Sequence, residues 1–317
     1  MKKYTSVKDV ANVEELVNEA LHLKQNPYKY KHLGENKTLG LIFLNPSLRT
    51  RLSTQKAAMN LGMNVMVMNL DKEGWALETQ EGAIMNGTTV EHIKEAAAVM
   101  GEYCDILGIR SFPKLQNRDE DYNEELLQQF IDYAGIPIVS LESATRHPLQ
   151  SLADLVTITE QKPAGKKPKV VLTWAPHVKA IPQCVANSFA EWMGQADDVE
   201  LVITHPEGYN LADEFTQNAT VTTNQNEALK DADFVYVKNW SSYTDYGKVL
   251  TDGEGWMMTN EKLALTNNAK VMHCLPVRRN VELSDEILDG PNSLVLQQAN
   301  NRTYAAQAVL KRMLEAI

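Results

Sequence analysis

Short apolar runs alternate with longer amphipathic stretches along almost the whole chain. In the first half, runs of strand length cover residues 39–44, 63–69, 105–109 and 136–141. The alternation restarts in the second half with runs at 170–174, 200–204, 234–238, 270–274 and 294–296. Strands that alternate with helices form a parallel sheet with helices on both faces. The sequence therefore predicts an α/β protein with two doubly wound parallel-sheet domains.

A polar, lysine-rich stretch at 161–169 separates the two halves as a linker or surface loop. The chain has 317 residues, more than one hydrophobic core usually supports. We therefore expect one domain over 1–150 and a second over 151–301. Residues 302–317 carry apolar side chains at helical spacing, which predicts a terminal amphipathic helix.

Charge and cysteine content exclude several classes of protein. Lys+Arg number 31 and Asp+Glu number 41, a net charge of −10, which argues against a nucleic-acid or membrane-surface binder. No apolar run approaches the roughly 18 residues of a membrane-spanning helix, and no signal peptide is apparent, so we expect a cytoplasmic protein. Cys104, Cys184 and Cys274 lack the spacing of a disulfide framework or a zinc site.

The sequence Ser-Leu-Arg-Thr-Arg at 47–51 follows the first predicted strand and opens a helix. Free N–H groups and the positive end of the helix dipole favour an anion there. The planar guanidinium of arginine binds phosphate oxygens bidentately. We predict a site for a small phosphorylated anion, although a solvated basic helix start is the plain alternative for so short a motif.

Other polar clusters also follow predicted strands, where ligands bind in open α/β sheets. They are Arg110, Glu142 with 147–150, 174–179, Lys238 and 273–279. Each of them alone has a structural explanation, such as a surface cation or a buried histidine. Their shared position at strand ends indicates binding sites in both domains.

Segments 47–51, 147–150 (His-Pro-Leu-Gln) and 273–278 (His-Cys-Leu-Pro-Val-Arg) occur in this order and together resemble the carbamoyltransferase family, which includes the aspartate and ornithine enzymes. The resemblance covers nearly the whole chain. It implies a carbamoyl-phosphate domain, then an amino-substrate domain, with the terminal helix joining the first domain. It also implies a homotrimer with shared active sites, a cis bond between Leu275 and Pro276, and a knot in the second domain, which is a rare topology.

The same resemblance implies roles for individual residues. Those expected to bind carbamoyl phosphate are Ser47, Leu48, Arg49, Thr50, Arg51, Trp75, Arg110, His147, Gln150, Cys274, Leu275 and Arg302. Thr50, Arg110 and His147 would donate hydrogen bonds to the carbonyl oxygen during attack, and Gln150 would accept from the carbamoyl NH₂. Cys274 would act through its backbone carbonyl rather than as a nucleophile. Direct attack by a neutral amine needs no metal and no cofactor, and the departing phosphate can take the proton.

The amine is indicated by departures from the better-known members. Ornithine enzymes place an aspartate loop against a free α-ammonium, whereas this chain has Lys238 in that region, which would repel such a group. The chain therefore resembles the branch that acts on N-acylated ornithine. Residues expected to bind this substrate are Trp75, Val90, Glu142, His177, Lys179, Lys238, Cys274, Leu275 and Arg278. Trp75 and Val90 would come from a neighbouring subunit.

Val90 distinguishes two acyl groups. Members that use N-acetylornithine carry glutamate immediately before a Glu-His-Ile/Leu segment, and here Val90 precedes Glu91-His92-Ile93. An uncharged pocket suits a succinyl carboxylate, which His177 and Lys179 would bind. The expected reaction is carbamoyl transfer to the δ-amine of N2-succinyl-L-ornithine in arginine biosynthesis, with N-acetyl-L-ornithine as the alternative.

Two alternatives belong to other functional classes. A non-catalytic carbamoyl-phosphate-binding regulatory protein would show a degraded second half, but Lys238, Glu142 and 274–278 are all present. A nicotinamide-dependent dehydrogenase would need a glycine-rich turn after a first strand, and neither 45–51 nor 174–179 has one.

Overall fold

The computed structural model describes residues 1–70 and 72–317 completely, and residue 71 by its backbone. The chain divides into two compact units. The first contains residues 1–113, 119–149 and 302–317, and the second contains 114–118 and 150–301.

The first unit is built on a parallel sheet with the strand order β1-β7-β6-β2-β3, and β4 and β5 form a separate parallel pair. Its strands are β1 (Lys3–Tyr4), β2 (Thr38–Phe43), β3 (Asn64–Asn69), β4 (Leu77–Glu78), β5 (Glu91–His92), β6 (Ile106–Arg110) and β7 (Ile138–Glu142). Its helices are α1 (Val13–Gln25), α2 (Arg49–Asn60), α3 (Leu70–Glu73), α4 (Ile93–Tyr103), α5 (Arg118–Tyr122), which begins in the second unit, and α6 (Glu125–Tyr133). Short 3₁₀ helices cover Val7–Asp9 and Lys31–Gly34.

The second unit has its own parallel sheet with the order β10-β9-β8-β11-β12. The strands are β8 (Lys169–Trp174), β9 (Glu200–Thr204), β10 (Thr220–Thr222), β11 (Phe234–Lys238) and β12 (Lys270–Met272). The helices are α8 (Cys184–Gly194), α9 (Asp213–Thr216), α10 (Gln225–Leu229), α11 (Asn260–Leu263) and α12 (Asp285–Leu288). Two further helices, α7 (Pro148–Gln161) and α13 (Val295–Leu314), contribute residues to both units.

The central strands are buried on both faces, which is why they read as continuous apolar runs in the sequence. Every residue of β6 and of β11 is buried. Gly108 in β6 lies opposite Leu41 of β2, and a Cβ atom added there would stand 2.8 Å from the Leu41 side chain. Glycine at this position therefore allows the large side chains of the neighbouring strands to pack over β6.

Each sheet has one topological switch point, where the chain reverses the direction in which it adds strands. In the first sheet, β3 lies on one side of β2 and β6 on the other. In the second, β9 lies on one side of β8 and β11 on the other. The segments that follow β2, β6, β8 and β11 thus emerge at the positions where open α/β sheets bind ligands.

The predicted fold class, two doubly wound parallel sheets, is confirmed. Eight predicted strands begin and end within two residues of the observed bounds. The short strands β1, β4, β5 and β10 were not predicted. None of the helices in the described part of the chain combines the length and the apolar character that a bilayer crossing demands.

The prediction for 294–296 is wrong, and the terminal helix begins earlier than 302. Ser293 makes only an isolated bridge to Val271, and the Leu294 N–H donates to the Val271 carbonyl. Helix α13 begins immediately afterwards, at Val295. A short apolar run at a helix start resembles a short strand when periodicity is the only signal.

Candidate active site

The N-terminal end of α2 carries the predicted anion-binding residues. The helix begins at Arg49. The residue at its N-cap position, Leu48, has an apolar side chain that cannot bond the first backbone N–H groups. Thr50 is buried, Ser47, Arg49 and Arg51 are half-buried, and Leu48 is exposed. This helix end therefore offers backbone N–H groups, two hydroxyls and two guanidinium groups to an anion.

Arg302 of α13 lies against the same group of residues. Its Nη2 atom donates to Thr50 Oγ1 at 2.5 Å and contacts His147 Nε2 at 3.3 Å. All three side chains are buried. The structure thus brings together, within the first unit, three residues that lie far apart in the sequence and that were each predicted to bind carbamoyl phosphate.

His147 is a neutral imidazole with a defined tautomer. Burial lowers its pKa to about 3, and the nearby charges of Arg302, Arg110 and Arg49 act in the same direction against the opposing effect of Glu142. Arginine can only donate, so the Nε2 atom that faces Arg302 must accept. The single proton of the neutral ring is therefore on Nδ1, which is buried and has no hydrogen-bond partner among the described residues. This N–H is a donor available to a bound ligand.

Arg110, at the end of β6, is held by neighbouring groups. Its Nε and Nη2 atoms lie 3.1 and 2.8 Å from Glu142 Oε2. Its Nη1 atom donates to the backbone oxygens of Asn45 and Pro46 at 3.0 and 2.8 Å. Four of the five N–H groups of a guanidinium are then engaged, and one on Nη2 is left for a ligand.

Glu142 lies beside Arg110 and His147, two of the residues predicted to bind carbamoyl phosphate. Its carboxylate pairs with Arg110 and lies 3.9 Å from His147 Nε2. Placement of an ornithine side chain by Glu142 stays a prediction.

Trp75 and Val90 lie on an exposed segment of the first unit. Their exposed fractions are 56% and 63%. The Trp75 indole N–H, its only donor, bonds Glu91 Oε2 at 2.8 Å within the same chain. The adjacent pair β4–β5 fixes the register of Leu77 against Glu91. The segment is therefore folded within one chain, and its apolar side chains face outward.

In the second unit, Gln150 has one of its two polar atoms engaged. Its Nε2 donates to Asp154 Oδ1 at 2.7 Å, while its Oε1 is buried without a partner among the described residues. Gln298 also donates to Asp154 Oδ1, at 2.6 Å. Asp154 and Gln298 were not assigned a role from the sequence, because their pairing joins positions 144 residues apart.

The segment after β12 is held by Glu282. This carboxylate accepts from the Arg278 N–H at 2.8 Å and lies 3.3 Å from His273 Nε2. Burial alone would raise the pKa of Glu282, but His273, Lys238 and the Arg278 amide outweigh burial and lower it to about 2. The Leu275–Pro276 bond is cis, as the resemblance implies.

Lys238 ends β11 as a buried cation whose Nζ donates to the Asn239 carbonyl at 3.0 Å. His177 contacts the Lys179 carbonyl through Nδ1 at 2.9 Å and receives Arg278 Nε at Nε2 at 3.1 Å. Burial lowers the His177 pKa, and Lys238 and Arg278 lower it further. His177 and Arg278 therefore lie side by side, and Lys179 is exposed next to them.

A groove of about 510 Å³ runs beside His177 in the second unit. It is lined by Pro176, His177, Val178, Val249, Leu250, Thr251, Asp252 and Val281. Its size and largely apolar walls are typical of a small-molecule site.

Two family models match the chain. The carbamoyl-phosphate-binding domain of aspartate/ornithine carbamoyltransferase matches residues 2–160, and the Asp/Orn-binding domain matches residues 184–313. The two matches together cover most of the chain.

Individual relatives are similar over their full lengths. The N-succinylornithine carbamoyltransferase of Bacteroides thetaiotaomicron is 53% identical and is covered completely, as is this chain. The N-acetylornithine carbamoyltransferase of Xanthomonas campestris pv. campestris is 34% identical, with 95% of this chain and 93% of the relative covered.

The fold also matches solved structures. One is a glutamate-to-valine variant of N-acetyl-L-ornithine transcarbamylase complexed with carbamyl phosphate and N-succinyl-L-norvaline. Its TM-score is 0.92 and its identity 31%, and 99% of this chain and 100% of that chain are covered. On the two family models and these full-length similarities, the chain belongs to the aspartate/ornithine carbamoyltransferase family.

Proposed function

We propose that this enzyme transfers the carbamoyl group of carbamoyl phosphate to the δ-amine of N2-succinyl-L-ornithine. The products are N-succinyl-L-citrulline and phosphate, and the reaction serves arginine biosynthesis. The observation that carries the carbamoyl half is the buried cluster of Thr50, His147 and Arg302 beside the N-terminal end of α2. The 53% full-length identity to an N-succinylornithine carbamoyltransferase supports the acyl group.

Carbamoyl phosphate binding belongs to residues 1–150 and the terminal helix. Ser47, Arg49, Thr50 and Arg51 hold the phosphate at the end of α2. His147 Nδ1–H and the remaining N–H of Arg110 donate to the carbonyl oxygen, which becomes an oxyanion when the amine attacks. Such donors contribute about 3–4 kcal/mol each in the transition state. Because His147 is neutral, it acts as a hydrogen-bond donor and not as a general acid.

Acylornithine binding belongs to residues 151–301. Lys238 and Arg278 supply the cationic groups for the substrate carboxylates, and the groove beside His177 takes the acyl chain. His177 accepts from Arg278 and donates to the Lys179 carbonyl, so it orients Arg278 unless a ligand displaces that contact. The backbone carbonyls of Cys274 and Leu275 receive the attacking amine.

The succinyl group is favoured by the residue at position 90. Val90 stands immediately before Glu91-His92-Ile93, where acetyl-specific members carry glutamate. A glutamate-to-valine variant of an N-acetylornithine enzyme was crystallised with a succinylated ligand. We infer that Val90 has the same effect here, because it removes a carboxylate that would oppose the succinyl carboxylate.

The active enzyme is a homotrimer in which the segment around Trp75 and Val90 completes a neighbouring site. Its exposed apolar side chains support this assembly, since Ile84 is 84% exposed and Met85 40% exposed in the single chain. Light scattering should give about three times the chain mass of 35.5 kDa. A fully active monomer would contradict the assembly.

A steady-state assay against free, N-acetylated and N-succinylated ornithine tests the function directly. We expect the highest kcat/KM with the succinylated substrate. A higher value with N-acetylornithine would assign the acetyl reaction. No turnover with any of the three, while carbamoyl phosphate still binds, would instead indicate a binding protein.

A further inference from the structure

A buried carboxyl group, Asp154, lies between two glutamine side chains in the second unit. Its Oδ1 atom accepts from Gln150 Nε2 at 2.7 Å and from Gln298 Nε2 at 2.6 Å. The exposed fractions are 0% for Asp154 and 1% for each glutamine, so water does not replace these contacts. The family resemblance gives Gln150 a role toward the carbamoyl NH₂ group, but it gives none to Asp154 or Gln298.

An amide group has two ends of opposite hydrogen-bonding character. A carboxylate oxygen can only accept, so the amide that faces it must present its NH₂ end. Gln150 and Asp154 are four residues apart on α7 and therefore lie on the same face of the helix. The Gln150 Oε1 atom is then turned away from Asp154, and it is a buried acceptor without a hydrogen-bond partner among the described residues. A carbamoyl NH₂ group is a donor of the kind that this acceptor requires.

The same reasoning fixes the second amide. Because Gln298 Nε2 faces Asp154, its Oε1 is available to accept, and it receives the backbone N–H of His273 at 2.9 Å. This bond lies directly after β12, at the start of the segment that contains Cys274 and Leu275. One carboxyl group thus determines which end both amides present.

We propose that Asp154 is a positioning residue for carbamoyl recognition: it orients Gln150 so that Oε1 accepts from the carbamoyl NH₂, and it orients Gln298 so that Oε1 holds the segment beginning at His273. This inference rests on the proposed function, because it concerns how the carbamoyl donor is recognised. Buried residues of the second unit would then distinguish an NH₂ group from a group of similar size that cannot donate a hydrogen bond.

The test compares carbamoyl phosphate with acetyl phosphate, which has CH₃ in place of NH₂. The full chain is used, with both affinities taken from titration calorimetry. In Asp154→Leu both amides lose the oxygen atom that holds their NH₂ ends, so carbamoyl phosphate affinity should fall about tenfold to a hundredfold. Acetyl phosphate affinity should change less than about twofold, because it never used the Gln150 acceptor.

A conservative variant separates orientation from a general structural defect. In Asp154→Asn the amide oxygen can occupy the position of Oδ1 and, with its two lone pairs, accept from both Gln150 and Gln298. Both glutamines then keep their orientation, and the preference for carbamoyl phosphate should be retained. Thr157→Val is the matched control, since Thr157 is a buried polar residue on the same helix that bonds Asn301 of α13. Its preference should be unchanged.

Equal losses for both phosphates in Asp154→Leu would overturn the proposal, as would an unchanged preference in that variant or a lost preference in Asp154→Asn. If Asp154→Leu does not fold, Asp154→Ala takes its place in the comparison. Failure of both variants to fold would make Asp154 a stability residue and would also overturn the positioning role. These binding measurements need no acyl acceptor, so they stand apart from a failure of the proposed transfer reaction, which the wild-type turnover assay detects.

Discussion

Arg49 carries a permanent charge at the N-terminal end of α2, where the helix dipole has the same sign. Arg49→Ala should weaken carbamoyl phosphate binding at least about thirtyfold, since truncating one partner of a partly buried charge pair typically costs about 2 kcal/mol or more. Titration calorimetry measures the affinity. Lys56→Ala is the control, because Lys56 is an exposed cation on the same helix. An unchanged affinity in Arg49→Ala would remove the basis of the anion site.

The buried, neutral ring of His147 should make the free energy of unfolding depend on pH. Its folded pKa is about 3 and its ordinary value 6.5, so between these values the unfolded chain binds one more proton than the folded chain. Stability therefore rises with pH through this range and is lost on acidification, by about 1.4 kcal/mol per pH unit from this group.

Denaturant unfolding at several pH values between 4 and 7 measures this slope. His147→Asn should reduce the slope by that amount, and His32→Asn, at an exposed histidine, should not. If wild type and His147→Asn keep the same slope, His147 is not buried as a neutral ring. Because the His147 ring is already neutral above pH 5, its titration should not change kcat/KM in that range.

Residues at the carboxyl ends of strands were predictable because open α/β sheets place their ligands there. Arg110, His147 and Lys238 follow that rule. The partners of these residues were not predictable, since nothing local in the sequence connects Glu142 to Arg110 or Gln298 to Asp154. Such pairs arise when the folded chain brings together side chains on different elements.

At the scale of elements, we expect the segment containing β4 and β5 to determine acyl specificity. Val90→Glu should lower the kcat/KM ratio for succinylornithine over acetylornithine about tenfold to several hundredfold, because two carboxylates a few ångström apart repel each other by about 1–4 kcal/mol. Acetylornithine carries no charge at that end. The ratio of kcat/KM values is the correct measure, since a general loss of activity lowers both.

Val90→Gln is the matched control for Val90→Glu, because glutamine has the size of glutamate without its charge. It should change the ratio much less. Equal effects of the two substitutions would show that size and not charge is sensed. An unchanged ratio in Val90→Glu would show that position 90 does not read the acyl group.

Helix α13 depends on a buried polar contact in the first unit. Gln307 is fully buried, accepts from Asn60 Nδ2 at 3.0 Å and donates to the Pro27 carbonyl at 2.6 Å. Gln307→Leu leaves both partners unsatisfied and should cost about 2–4 kcal/mol of unfolding free energy. Chemical denaturation measures the loss, and Asn300→Ala, at an exposed position of the same helix, should change stability by less than about 0.5 kcal/mol.

Strands could be recognised from the sequence where they were long and buried. The residues at which they end were predicted less accurately. The run 270–274 was predicted as one strand, but β12 ends at Met272. The reason is that the His273 N–H bonds the Gln298 side chain instead of a neighbouring strand. Side-chain acceptors of this kind end a strand without leaving a mark in the local sequence. The predicted knot in the second domain stays a prediction.

At the scale of the whole molecule, shared sites can be tested by mixing two inactive variants. Arg49→Ala disables the anion site, and Trp75→Ala disables the segment offered to a neighbour. At equal expression about three quarters of the trimers are mixed, and in each of these one site in three pairs an intact anion site with an intact neighbouring segment. Such sites make up about a quarter of all sites. Co-expression should therefore restore roughly that fraction of wild-type activity. No recovery, with mixed trimers verified by mass, would mean that each chain completes its own site.

The engagement of Arg110 by Glu142, Asn45 and Pro46 bears on the thermodynamics of ligand binding. A free arginine side chain loses considerable rotamer entropy when a ligand fixes it. Here that loss occurs during folding, so a ligand that meets the last N–H of Arg110 finds it already immobile. Preorganised donors of this kind require little rearrangement when charge develops on the ligand. In the proposed site the carbonyl end of the substrate would thus meet a surface that is rigid before binding, and selectivity there would follow from shape rather than from adaptation.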